Sequence, residues 1–262
     1  MEHLEGRQSI LAALQGWQRR FEVILLRHGS HEEKFADVLA AAAQRNVPIR
    51  RVEGRELDDM AHGATHGGIL AIVSPKPRMT AAELTPLLDA LVEPPLLLLL
   101  EGIEDARNLG FTLRSAEALG AAAVLIKKHL WDFDAIEIAR PSSGAYERMP
   151  LVQIEDIAPL QQLRQRGLRL YGCLAGVRNT IYQTDLAGGS IIAIGGEKRG
   201  LSGAVRGICD AFMTIPSRPD AASLSLSHAA SIIMAEAMRQ RLSSKGMNHQ
   251  TVQVDENQHE AE

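Results

Sequence analysis

Five consecutive leucines at positions 96–100 limit the possible folds of this 262-residue chain more than any other feature. The run is too short to cross a membrane, which takes about 20 apolar residues in a helix. A strand with one face in water alternates apolar and polar residues, and this run does not. We therefore predict a strand that is covered on both faces, as in a parallel sheet between two layers of helices.

Helical and strand patterns alternate along the rest of the chain, which predicts an α/β fold with a mostly parallel sheet. The predicted helices are 6–15, 31–45, 80–91, 107–119, 157–166 and 223–242. The predicted strands are 22–27, 49–52, 68–73, 95–100, 121–126, 168–173, 190–194 and 212–215.

Two prolines in the segment Ser-Pro-Lys-Pro-Arg, residues 74–78, interrupt this alternation. Neither a helix nor a central strand tolerates two prolines so close together. We expect a small α/β domain over 1–75, a linker over 76–80 and a second α/β domain over 81–245. The last residues, 246–262, are polar and predict a flexible tail.

Several functional classes are excluded by composition. No apolar run predicts a membrane helix, and the N-terminus lacks the apolar stretch of a signal peptide. Two cysteines are too few for a disulfide framework, so we expect a cytoplasmic protein with reduced thiols. His62 and His66 are four residues apart, but the glycines around them disfavour a shared helix, and no metal is expected.

The net charge of −4 argues against a nucleic-acid partner, but the charge is unevenly distributed. Residues 160–206 contain seven basic and two acidic side chains. A local basic patch would contact phosphates, whereas an ordinary solvated helix surface is the alternative interpretation. The basic residues are Arg164, Arg166, Arg169, Arg178, Lys198, Arg199 and Arg206.

Polar residues follow the leucine strand, at the strand end where open α/β sheets bind ligands. Asn108 would order the turn, and Arg114 lies six residues further along the predicted helix. An arginine on an otherwise apolar helix needs a carboxylate, a phosphate or solvent. Arg114 therefore predicts either a ligand contact or a structural ion pair.

Two further strands end in segments that suit a ligand. Gly195 and Gly196 leave room for a ligand to approach the backbone, although the segment matches neither a Walker loop nor Gly-x-Gly-x-x-Gly. A structural turn is the alternative there. Ser223, Ser225 and Ser227 precede the last helix, where serine is typical of an N-cap, and no Gly-x-Ser-x-Gly motif is present.

Taken in this order, the segments resemble the motifs of the SpoU/TrmH family of RNA 2′-O-ribose methyltransferases, in the SPOUT superfamily. The first motif is matched by Glu101, Asp105, Asn108, Gly110, Arg114 and Ala116. The second is matched by Gly195, Glu197, Gly200 and Leu201, and the third by Ile215, Pro216, Ser223 and Leu224. Ser143-Gly144-Ala145 resembles a further signature. Ala106 and Ser225 depart from the family, which usually has proline and asparagine at these positions.

The first 75 residues are similar to the N-terminal RNA-binding domain of the bacterial large-subunit rRNA guanosine methylases. The similarity rests on Glu5-Gly6 before a helix and on the segment His66-Gly-Gly-Ile-Leu-Ala71. It implies that residues 1–75 present an RNA, most readily 23S rRNA. Methylation of tRNA, or of rRNA in antibiotic resistance, is the alternative within this family.

The resemblance implies a knotted methyltransferase domain, a homodimer and S-adenosylmethionine as the methyl donor. The implied cofactor-binding residues are Gly195, Gly196, Ile215 and Leu224. The implied catalytic residues are Asn108, Arg114, Glu197, Ser223 and Ser225. No metal or membrane is implied. Ser225, in place of asparagine, also leaves open an RNA-binding protein with weak methyltransferase activity.

Overall fold

A computed structural model of the chain describes residues 1–16, 18–61, 66–127, 133–218, 220 and 223–244. These residues form two sheets with helices against them, so the predicted α/β class is confirmed. Among the described helices, none combines the length and the apolar character that crossing a membrane requires.

The N-terminal sheet has four strands in the order β1-β4-β2-β3. Strand β2 runs parallel to β3 and antiparallel to β4, which is antiparallel to β1. The first strand and the third helix were not predicted. The strands are β1 (Glu2–Glu5), β2 (Phe21–Arg27), β3 (Ile49–Val52) and β4 (Ile69–Val73). The helices are α1 (Arg7–Gly16), α2 (Ala36–Gln44), which follows a 3₁₀ turn at Glu32–Phe35, and α3 (Gly54–Met60).

The second sheet has seven parallel strands in the order β11-β9-β10-β6-β7-β8-β5. The leucine run forms the central strand of this sheet, and all five leucines are buried, as predicted. The strands are β5 (Met79–Thr80), β6 (Leu96–Leu100), β7 (Ala123–Lys127), β8 (Leu151–Ile154), β9 (Arg169–Cys173), β10 (Ser190–Ile194) and β11 (Ala211–Met213).

Among the described residues, seven α-helices and a 3₁₀ turn at Ile181–Gln183 accompany the second sheet. Thr80 caps the first of them in a capping box with Glu83, as expected for threonine three residues before glutamate. The helices are α4 (Ala81–Asp89), α5 (Ala106–Ala118), α6 (Ala135–Ser142), α7 (Ala145–Arg148), α8 (Ala158–Gln165), α9 (Gly203–Arg206) and α10 (Leu226–Ser244). Helices α6, α7 and α9 are too short to give a clear periodicity, and they were not predicted.

Of the three hydrophobic clusters that the described residues form, one contains residues of both sheets. This cluster of buried side chains includes Leu4 and Leu14 beside the first sheet and Leu98 and Tyr146 of the second part of the chain. The segment expected to be a linker takes part in this packing. Met79–Thr80 pairs with β8, and Lys76 is only 8% exposed.

Lys76 is buried against the backbone that follows α7. Its Nζ donates to the carbonyl of Met149 at 3.0 Å and to that of Tyr146. Burial lowers the pKa of Lys76 to about 8, because water no longer stabilises the charged ammonium, although Glu147 opposes this change. Burial likewise raises the pKa of Tyr146 to about 12.

We expect the free energy of unfolding of the parent protein to increase with pH by more than that of the Lys76→Met variant. Above pH 8 the folded protein releases the Lys76 proton, whereas the unfolded chain keeps it up to the usual pKa of 10.5. The unfolded state then binds more protons, so stability increases across this window, by roughly 3 kcal/mol in all. Urea denaturation of both proteins from pH 7 to 10.5 measures the difference, and a constant difference would contradict this assignment.

Candidate functional site

A cleft of about 750 Å³ opens at the carboxyl ends of β9, β10 and β11, against the start of α10. All four residues predicted to bind a cofactor line it, together with the predicted catalytic residues Glu197 and Ser223. The four are Gly195, Gly196, Ile215 and Leu224. Its inner wall is largely apolar, formed by Ile194, Met213, Leu226 and Ile233.

The glycines of this cleft are required by the chain itself. A Cβ atom at Gly195 would lie 2.1 Å from the carbonyl carbon of Gly200, and one at Gly196 would lie 2.0 Å from the carbonyl oxygen of Gly102. The sequence analysis assigned this space to an approaching ligand. The structure instead fills it with backbone, because the 195–200 turn folds back on itself and against the end of β6.

A smaller cavity of about 220 Å³ adjoins the cleft. Asn108 lines it, with Gly102, Glu104 and Asp105 from the segment that follows β6. Three residues, Gly196, Glu197 and Leu226, line both the cavity and the cleft. The two spaces therefore share a wall formed by the 195–200 turn and Leu226.

A line of hydrogen bonds connects α5 to the start of α10. The hydroxyl of Ser227 donates to Oδ1 of Asn108 at 3.2 Å and lies 3.1 Å from the hydroxyl of Ser225. The Ser225 hydroxyl also lies 2.6 Å from Nδ1 of His228. Two predicted catalytic residues, Asn108 and Ser225, are thus joined through Ser227, which the sequence analysis assigned only to helix capping.

Ser225 also occupies the position expected of a helix cap. Its hydroxyl accepts a 3.5 Å hydrogen bond from the backbone amide of His228, and its carbonyl accepts from Ala229. In the sequence, the only indication of this role for Ser227 is its position two residues after Ser225, at the start of the helix.

Arg114 lies on the solvent-exposed side of α5. It forms no hydrogen bond or ion pair with any residue that the structure describes. The structural ion pair considered from sequence is therefore not found among the described residues, and Arg114 lines neither the cleft nor the smaller cavity. Glu197 and Ser223 are also exposed, and neither hydrogen-bonds to Arg114.

Glu101 has a supporting role at the end of β6. Its buried carboxylate accepts hydrogen bonds from the backbone amide of Ser202 at 2.7 Å and from the Ser202 hydroxyl at 3.0 Å. It also forms an ion pair with Lys127 at the end of β7. These contacts fix the chain that follows the 195–200 turn, and thus the wall between cleft and cavity.

Three of the seven basic residues of the segment 160–206 are neutralised by ion pairs. Arg164 pairs with Asp210, Arg166 with Asp89 and Lys198 with Glu104. These acidic partners lie outside the segment in sequence, so segment charge alone overestimated the positive surface.

A second cleft, of about 620 Å³, lies on the N-terminal sheet. Arg27, His28, His31 and Lys34 line it. Its wall is set by His66, whose Nε2 lies 2.8 Å from Asp58 and whose Nδ1 accepts from the amide of Gly68. Both ring nitrogens of His66 therefore have protein partners, and His62, the other half of the candidate metal pair, lies outside the described residues.

Comparison with known proteins gives matches along most of the chain. The model of the SpoU rRNA Methylase family matches residues 95–235, and that of RNA 2′-O ribose methyltransferase substrate binding matches residues 3–79. The chain is 35% identical to a 23S rRNA (guanosine-2′-O-)-methyltransferase of Pseudomonas putida, covering 92% of this chain and 97% of that protein. It is 33% identical to the protein of that name from Vibrio vulnificus, covering 93% of this chain and 99% of that protein.

Solved structures share the fold. A crystal structure of an RNA 2′-O ribose methyltransferase has a TM-score of 0.75 and 26% identity, covering 92% of this chain and 88% of that one. The SpoU methyltransferase AviRb from Streptomyces viridochromogenes, solved in complex with AdoMet, has a TM-score of 0.75 at 24% identity. The match covers 92% of this chain and 90% of that one.

We expect Gly196→Ala to destabilise the protein by about 3 kcal/mol, because the new methyl group meets the backbone of Gly102. Gly203→Ala is the matched control, since nothing lies within 4 Å of its added Cβ and alanine suits a helix. Thermal melts of both variants check this. Equal melting temperatures would show that the turn is not held by this contact.

Proposed function

The chain belongs to the SpoU rRNA Methylase family, and from this we propose that it methylates the ribose 2′-hydroxyl of a guanosine in 23S rRNA, with S-adenosylmethionine as methyl donor. The observation that carries the proposal is the junction of the two spaces at Gly196 and Glu197. One space has the size of a cofactor site, and the other contains Asn108. A 23S rRNA substrate places the protein in the cytoplasm.

The larger cleft fits S-adenosylmethionine in size and chemistry. Small-molecule sites usually have volumes of about 300–1,000 Å³ and apolar walls with a few polar groups. Ile215 and Leu224 would contact the adenine, and the backbone at Gly195 and Gly196 would bind the ribose and the purine edge. When bound, the cofactor supplies an electrophilic methyl group.

The smaller cavity would hold the target ribose. The Ser227 hydroxyl engages Oδ1 of Asn108, and no described residue accepts from its Nδ2. The amide is therefore oriented to donate to a ribose oxygen, which would align the 2′-hydroxyl with the cleft. Glu197 at the junction and Ser223 in the cleft would orient the ribose and Arg114.

Arg114 would stabilise the reacting oxygen. The 2′-hydroxyl loses its proton as it attacks, so negative charge develops on that oxygen. A guanidinium stays protonated in proteins, so it suits phosphate binding and alkoxide stabilisation better than proton removal. Its exposure and lack of a described partner leave it available for this role.

Residues 1–75 would present the RNA and residues 81–245 would carry out the transfer, with 76–80 as the connection and 246–262 as a tail. The N-terminal cleft with Arg27, His28, His31 and Lys34 is the surface that we assign to RNA. Its arginine and lysine would contact phosphates, and its histidines would contact phosphates or bases.

A homodimer and a trefoil knot in the second part of the chain belong to the same proposal. Phe111 on α5 is 50% exposed and Ile232 on α10 is 36% exposed, and these helices pack together. Burial of these side chains against a second copy would favour association. Sedimentation giving the mass of a single chain would contradict the dimer.

We expect Arg114→Ala to slow single-turnover methyl transfer to transcribed 23S rRNA by about 10²–10³-fold, since one preorganised charge is lost. Arg114→Lys should retain part of the rate, because it keeps the charge but loses the planar fork. Arg107→Ala, which removes an exposed arginine of the same helix, is the control. A folded Arg114→Ala protein that transfers methyl groups at the parental rate would remove Arg114 from the mechanism.

Lys34→Glu should weaken binding of 23S rRNA fragments and reduce its dependence on salt, because fewer counterions are released from phosphates. Cofactor binding should stay unchanged, since Lys34 lies in the 3₁₀ turn Glu32–Phe35 and does not line the cofactor cleft. Arg50→Glu changes the same charge at an exposed site that does not line the cleft. Filter binding at several salt concentrations measures the affinity for RNA. Equal losses of affinity in both variants would argue against the assigned surface.

A further inference from the structure

The N-terminal helix α1 packs closely against the turn between α6 and α7. Ser143 and Gly144 in this turn are both left-handed, with φ of 51° and 89°. A Cβ at Gly144 would lie 2.9 Å from Cβ of Ala12 and 3.1 Å from the carbonyl oxygen of Gln8. The Ser-Gly-Ala signature therefore forms the surface against which α1 packs.

A fully buried arginine lies beside this contact between α1 and the turn. Arg19 donates from Nε and Nη2 to the two carboxylate oxygens of Glu147, at 2.8 and 2.9 Å. Its Nη1 donates to the carbonyl of Ser74 at 2.9 Å and to Glu2. Burial alone would lower the pKa of Arg19, but Glu147 and Glu2 raise it above its usual value. Only Glu147 comes from the second part of the chain, so this ion pair spans the two parts.

Both sides of the pair are firmly held. Arg45 donates to the carbonyl of Arg19 at 2.7 Å and to those of Ala13 and Leu14 at 3.0 Å, which fixes the segment after α1. Glu147 lies on α7, directly after the Gly144 turn. The pair thus connects two ordered segments.

Close packing extends from this contact to helix α5, which contains the predicted catalytic residues Asn108 and Arg114. A Cβ at Gly110 of α5 would lie 2.5 Å from the carbonyl oxygen of Ile138 and from Pro141, both on α6. Helices α5 and α6 therefore touch at the backbone, between Asn108 and Arg114 in sequence. Backbone contacts of this kind leave little freedom for sliding.

We propose that Arg19 and Glu147 are positioning residues for methyl transfer. The pair holds the N-terminal RNA cleft at a fixed distance and orientation from α5, so that bound RNA presents its ribose at Asn108. A buried ion pair adds little net stability compared with apolar residues, but any other docking would leave its charges buried and unpaired. This inference rests on the proposed function.

Glu147→Gln in the full chain tests the proposal. The glutamine NH₂ group would face the donors of Arg19, so the N-terminal part should shift against α7 while the shared hydrophobic cluster still holds the two parts together. We expect the single-turnover rate at saturating 23S rRNA to fall at least tenfold, since small misplacements slow reactions strongly. The dissociation constants for RNA and S-adenosylmethionine should change less than twofold, and the radius of gyration from small-angle X-ray scattering should increase.

Glu56→Gln, which breaks an exposed ion pair of the N-terminal part, should leave all four quantities unchanged. If Glu147→Gln does not fold, Arg19→Lys is measured in its place, since it keeps the buried charge but loses the planar fork that donates to both Glu147 oxygens. A folded variant with a parental rate, or one whose rate falls only in proportion to cofactor affinity, would overturn the inference. A parent protein without transfer to 23S rRNA would refute the proposed function itself.

Discussion

Direct backbone contact between the ends of β6 and β10 is the constraint on which the site depends. Gly196 lies so close to Gly102 that no Cβ fits between them, and the 195–200 turn closes on itself at Gly195. This turn forms the wall that the cleft and the Asn108 cavity share. Glu101, buried under the same strand ends, fixes the following segment through Ser202 and Lys127. Strain or bulk at this point would change both spaces at once.

Five of the seven strands of the second sheet could be predicted because burial leaves a strong mark on sequence, whereas β5 and β8 were missed. The leucine run 96–100 forms the central strand, since a strand covered on both faces has no need of polar residues. Short helices such as α7, with four residues, lack the length for a periodic pattern. Lys76 was expected in a linker because a proline stands on each side of it, and the carbonyls of Tyr146 and Met149 explain how its ammonium is buried instead.

The site was predicted as a set of residues but not as an arrangement. Motif order pointed to Asn108 and Ser225, and the bond between them runs through Ser227, for which spacing gave only a capping role. Segment charge left a basic patch over 160–206 open beside an ordinary solvated surface, and it could not anticipate ion pairs between residues far apart in sequence, such as Arg166 and Asp89. The pairing of Arg19 with Glu147, 128 residues away, could not be read from sequence for the same reason.

These contacts describe one assembly in which an RNA surface, a cofactor cleft and a ribose cavity are held in register. Mapping of ribose 2′-O-methyl groups in ribosomal and transfer RNA, from cells with and without this protein, tests that account most directly. We predict the loss of methylation at a single guanosine of 23S rRNA, restored by the parent protein but not by the Arg114→Ala variant. Unchanged 23S rRNA, with or without a lost methyl group in transfer RNA, would contradict it.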